Sequence, residues 1–143
     1  MIYYLCLVLL LLFYEIDFLL NFKYRYKWLY ILTKYINHIS IFKGKKIGKP
    51  AILSGVSNGM LILLFWSYAF VAFIIYSMFF LTANLFYVCI PTMLITNFLK
   101  SYLVNYDIKY FKVASLLEAV INIIIFGFIF FKFYSPIFLN LIN

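Results

Sequence analysis

AILSGVSNGMLILLFWSYAFVAFIIYSMFFLTANLFYVCIPTMLITNFL, residues Ala51 to Leu99, runs for 49 residues without one charged side chain. At about 1.5 Å per residue it would make about 74 Å of helix. Once a turn is allowed for, that is close to twice what a bilayer core of roughly 30 Å can hold. The stretch therefore predicts two membrane-spanning helices back to back, near 51–76 and 84–99, with a tight turn over Ser77–Ala83. Pro91 falls inside the second of them, removes one backbone donor and is expected to kink it.

Outward from this stretch the rest of the chain reads the same way. Met1 to Phe22 is apolar except for Glu15, Asp17 and Asn21. It has no basic leading region or small-residue cleavage site, so it is expected to be a retained first span at 1–22. Val113 to Phe131 forms the last span, followed by Lys132 and an apolar tail containing Pro136. Between the first two spans, residues 23–49 carry eight of the twelve basic residues. Within that segment Lys23, Lys27, Lys34 and His38 recur near helical spacing, which predicts a helix lying in the headgroup layer with its apolar side down. A short extra span over Trp28–Phe42 is the alternative. Gly44, Gly48 and Pro50 punctuate the entry to the charge-free stretch.

Composition sets the class. The 143 residues are 68% hydrophobic and 11% charged, too few polar groups to cover a soluble domain. Tyr residues clustered beside lysines at Lys23–Tyr35 fit an interfacial belt. The net charge of +8 follows from membrane orientation, without nucleic acid as a partner. With four spans, the loops at 23–49 and 100–112 share one side and hold eleven basic residues, against Lys132 alone on the other. Both termini are then expected to face outward. The expected fold class is all-α, a single integral membrane domain over 1–143: a polytopic bundle of four spans, near 1–22, 51–76, 84–99 and 113–131, plus one basic interfacial helix at 23–49. Lys outnumbers Arg eleven to one, and Phe, Ile, Tyr, Asn and Lys are heavily used. These residues have A/T-rich codons, pointing to a low-G+C genome such as that of an organelle, a parasite, a mollicute or a phage.

Candidate functional residues are few. Glu118 lies five residues into the last span and Glu15 eight residues before Lys23, so both fall roughly 8 to 12 Å below the same surface. A carboxylate at that depth must be protonated, paired or in contact with water. Asn122 follows Glu118 by one turn and Ser115 precedes it by three residues, giving one polar stripe on that helix. The group reads as either a proton relay or a buried polar contact. Ala51, Gly55 and Gly59 form a small-residue ridge that permits close helix packing. Cys89, Thr92 and Thr96 make a weaker polar stripe. Cys6 and Cys89 have no redox or ligand spacing, and His38 stands alone. No catalytic residues, cofactor or metal are expected, because no nucleophile and base pair or phosphate-binding loop occurs.

Two resemblances accompany this reading. The stretch Lys112-Val-Ala-Ser-Leu-Leu-Glu118-Ala-Val-Ile-Asn122 resembles the glutamate-bearing last helix of the 4L subunit of mitochondrial NADH dehydrogenase. That likeness implies a non-catalytic subunit in a proton-pumping membrane arm. Phe18-Leu-Leu-Asn-Phe-Lys-Tyr-Arg-Tyr-Lys27 resembles the Asn-and-basic segments of GtrA-like four-helix proteins, which implies movement of lipid-linked sugars. The expected partners are other membrane protein subunits, with lipid, including anionic headgroups, at the Lys-rich segment 23–49.

Overall fold

The computed structural model describes residues 1–41 and 53–142, with side chains described for 1–34, 61–136 and 140. Within these limits the chain is helical throughout: α1 (Ile2–Leu20), α2 (Phe22–Ile41), α3 (Leu53–Phe80), α4 (Ala83–Leu103) and α5 (Ile108–Ile142). Three segments are long and apolar enough to cross a membrane, Ile2–Leu20, Leu61–Phe80 and Ile108–Pro136. The protein is thus an all-helical chain with the helices of an integral membrane protein. The segment expected as a span at 84–99 is also helical, within α4. It carries Asn84, Asn97 and Lys100, and it is not among the three most apolar helices.

The helix ends differ from the sequence expectation for identifiable reasons. The turn placed at Ser77–Ala83 shrinks to Leu81 and Thr82, because the Ser77 hydroxyl is buried in a 2.9 Å hydrogen bond with the Tyr4 hydroxyl and its helix runs on past it. Thr82 then takes extended dihedrals and starts α4. The loop placed at 100–112 spans only Val104–Asp107. Lys100 belongs to α4, and α5 begins five residues ahead of Val113. Asp107 sits just before α5, where its carboxylate accepts the Lys109 N–H at 3.4 Å and occupies the favoured position for an acid. The Pro136 tail is likewise no separate segment, since α5 continues through it to Ile142. Between α1 and α2 only Asn21 interrupts the helix, its amide bonded back to the Asp17 carbonyl and carboxylate.

Two apolar clusters show how the helices run. The first joins Tyr4, Val8 and Leu11 of α1 to Phe70 and Phe73 of α3, Ile90 and Met93 of α4, and Phe126 and Ile129 of α5. The second joins Phe18 of α1 and Leu29 of α2 to Val104, Phe111 and Ala119, with Leu63 of α3 packed against it. So α1 and α4 run one way, and α3 and α5 the other. The second cluster marks the end where α2 and the Val104–Asp107 loop meet. Tyr30 packs edge-on against Phe111 with ring centroids 5.3 Å apart, and the Lys112 ammonium lies over the Tyr26 ring. The basic residues of α2 and those flanking the loop therefore gather at one end of the bundle. The inward face of α2 packs largely on α5 and buries Leu29 and Leu32, leaving Lys23, Lys27 and Lys34 exposed.

Candidate functional site: a polar layer between two apolar clusters

Between the two clusters, α1, α4 and α5 bring their polar side chains to one level. On α1 Glu15 follows Leu11 and precedes Phe18. On α5 Ser115, Glu118 and Asn122 lie between Phe111 and Phe126. All four are enclosed, with 4% exposure at Glu15, 1% at Ser115, 5% at Glu118 and 1% at Asn122. The stripe predicted on α5 from its spacing thus points into the bundle.

Two contacts cross between helices. The Asn122 amide Nδ2 donates to Glu15 Oε1 at 2.8 Å, tying α5 to α1. The Lys100 ammonium pairs with Glu118 Oε2 at 2.5 Å, tying α4 to α5. Trp66 of α3 completes the layer, its ring 6.0 Å from the Lys100 nitrogen, in the range of a cation–π contact. The other two acids lie outside this layer. Asp17 pairs with Arg25 where α1 meets α2, and Asp107 stands at the start of α5.

Lys100 is the member that sequence reasoning missed, because a charge at the edge of an apolar run reads as a loop residue. Helix geometry supplies the signal. Lys100 is three residues from the end of α4 and Glu118 ten residues from the start of α5, so their α-carbons differ in depth by about 10 Å. Side chains lean toward the N-terminus of their own helix. In α4 that direction runs away from the loop, and in α5 it runs toward it. The two long side chains therefore close the gap.

These side chains surround a cavity of about 30 Å³, lined by Tyr14, Glu15, Phe18, Leu29, Leu63, Trp66, Lys100, Ser115 and Glu118. Two of its lining residues carry a buried polar atom without a protein partner, Trp66 Nε1 and Ser115 Oγ, and in the same polar layer Asn122 Oδ1 also has none. Because a buried polar group without a partner costs about 1–3 kcal/mol, such atoms mark where water belongs. A much larger recess of about 720 Å³ beside Leu94, Phe98 and Tyr102 is lined by α4 alone. It is an outward-facing groove.

The other residues singled out in the sequence fall elsewhere. Thr92 and Thr96 bond to carbonyls of their own helix, at Val88 and Met93. Cys89 is buried and Cys6 exposed, both free thiols. Gly55 and Gly59 lie on the first turns of α3, ahead of its described side chains, and Ala51 lies outside the described residues. His38 is on α2, beyond the side chains described there. No family model matches the chain, and neither the curated proteins nor the solved structures contain a match to it.

Proposed function

We propose that this chain is a non-catalytic subunit of a larger inner-membrane complex, crossing the bilayer four times with α1, α3, α4 and α5. The basic end, formed by α2 and the Val104–Asp107 loop, faces the positive-inside compartment and both termini face the other side. The specific complex we propose is the proton-pumping membrane arm of a mitochondrial NADH dehydrogenase-like enzyme, on the strength of the Lys112–Asn122 resemblance and the A/T-biased residue usage.

The observation that carries the subunit reading is the small size of the space between the helices at the polar layer. At about 30 Å³ it has room for water, whereas an organic solute needs a site of roughly 300–1,000 Å³. The recess of about 720 Å³ is large enough, but it lies on the outer face of α4 and not between the helices. A stand-alone transporter would need such a site within one chain or its own homo-oligomer. Support also comes from the outer faces of α3 and α4, where Leu61, Leu64, Phe65, Tyr68, Tyr87 and Phe98 are exposed. These faces suit lipid or neighbouring helices.

Mild detergent extraction followed by native gel separation and mass spectrometry tests the proposal. The expected result is one very large band containing several other membrane chains. A small band holding this chain alone would instead favour a GtrA-like flippase. In the same assay Gly55→Leu is expected to lower the yield of the large band, because only small residues at Ala51, Gly55 and Gly59 allow another helix to approach closely. An unchanged yield would place that ridge against lipid.

A further inference from the structure

We propose that the cavity between Glu15, Ser115 and Lys100 is a proton-binding site, holding water and loading one proton on Glu15. This goes beyond the subunit reading and depends on the packing of α1, α3, α4 and α5 around the layer, whatever complex the chain belongs to.

Three observations lead to it. First, the charges do not balance. Lys100 is committed to Glu118, while Glu15 receives only a neutral amide. The ionised layer therefore carries one surplus negative charge, and Arg25, at the junction of α1 and α2, is held by Asp17. α3 contributes Trp66 and Leu63 to the cavity, and α2 contributes Leu29, none of them able to neutralise a carboxylate. Tyr14 is the remaining titratable group on the cavity wall.

Second, the space is the right size and has the right walls. A water needs about 10–15 Å³ of accessible volume and two to four polar partners. The cavity offers about 30 Å³. The Ser115 hydroxyl, on a residue 99% enclosed, lines it without a protein partner. The Trp66 N–H is likewise unsatisfied.

Third, the Glu15–Asn122 contact can survive protonation. With Glu15 ionised, Asn122 Nδ2 donates to Oε1 and its Oδ1 is left without a partner. When cavity water delivers a proton to Glu15 Oε1, a half-turn of the amide brings Oδ1 round to accept the new O–H. The proton enters from the aqueous phase and is relayed by the cavity water, which takes up one proton as it gives one and is left as water. The carboxylate gains the proton, and the layer goes from one negative charge to neutral. The α1–α5 link is kept in both states, so loading the proton does not break the bundle.

Infrared difference spectroscopy on the full chain in lipid nanodiscs, stepped in pH over the range where it stays folded, tests the site. The expected spectrum has one carboxylic-acid C=O band that shifts in heavy water, is lost in Glu15→Gln and is kept in Asp17→Asn. Glu118→Gln removes the surplus negative charge and frees Lys100 to balance Glu15, so the band should then appear only at lower pH. Gln at position 15 still accepts from Asn122, so folding should persist. Ser115→Val provides an independent arm: it fills the cavity with methyl groups and should leave the band present but slow to exchange in heavy water. A band that survives Glu15→Gln, no titrating band in the wild type, or equally fast exchange in Ser115→Val would overturn the proposal. Because the chain is measured alone, failure here is distinct from failure to find it in a large complex.

Discussion

Lys100→Met is expected to destabilise the bundle by about 3–5 kcal/mol, the cost of leaving one member of a buried ion pair without its partner. The Lys100 and Glu118 side chains are 12% and 6% exposed, so little water can replace the missing cation. The pair itself is not predicted to be a large net source of stability, because both charges give up hydration to form it. Lys100→Met combined with Glu118→Leu should therefore recover most of the stability and return to within about 1 kcal/mol of the wild type. Reversible unfolding in mixed micelles, followed by circular dichroism, measures all four members of the cycle. A single variant as stable as the wild type would mean that Lys100 reaches the headgroups instead of Glu118.

Phe73→Ala should cost about 2–4 kcal/mol in the same assay. Phe73 is fully enclosed. Its ring stacks beside Tyr4, meets Phe126 edge-on at 5.0 Å, and neighbours Phe70. In a bilayer the gain from leaving water is absent, since lipid tails are as apolar as the core. What remains is the cavity left behind and the dispersion attraction that the surrounding rings forfeit when the Phe73 ring is removed. Val71→Ala makes the control, because Val71 lies on the same helix but faces outward at 53% exposure. It should change stability by less than about 0.5 kcal/mol. Equal destabilisation at both positions would contradict the packing described for α3.

How much of the molecule is legible in its sequence divides by the kind of signal. Apolar runs declare α1, α3 and α5 because nothing but lipid or a large core accommodates them. The polar stripe of Ser115, Glu118 and Asn122 is legible because residues three and four apart share a helix face. The partners of that stripe are not. Asn122 meets Glu15 across 107 positions of sequence, and Lys100 reaches Glu118 only through the opposed lean of side chains on antiparallel helices. Neither spacing nor composition encodes such pairings. Boundaries are obscured for a similar reason. Ser77 looks like a turn residue until Tyr4 is placed beside it, and Lys100 looks like loop until α4 is seen to carry it.

Topology is the most direct test of the central claim, that four helices cross and the basic segments share one end. Single cysteines introduced at Lys34, Tyr106, Thr82 and Lys132, in a chain with Cys6 and Cys89 replaced, can be labelled with an impermeant thiol reagent on oriented membranes. All four positions are exposed. Lys34 and Tyr106 are predicted to label together from the positive-inside compartment, and Thr82 and Lys132 together from the opposite one. Labelling of Tyr106 from the same side as Thr82 would mean that α4 does not cross, and would contradict the four-span bundle.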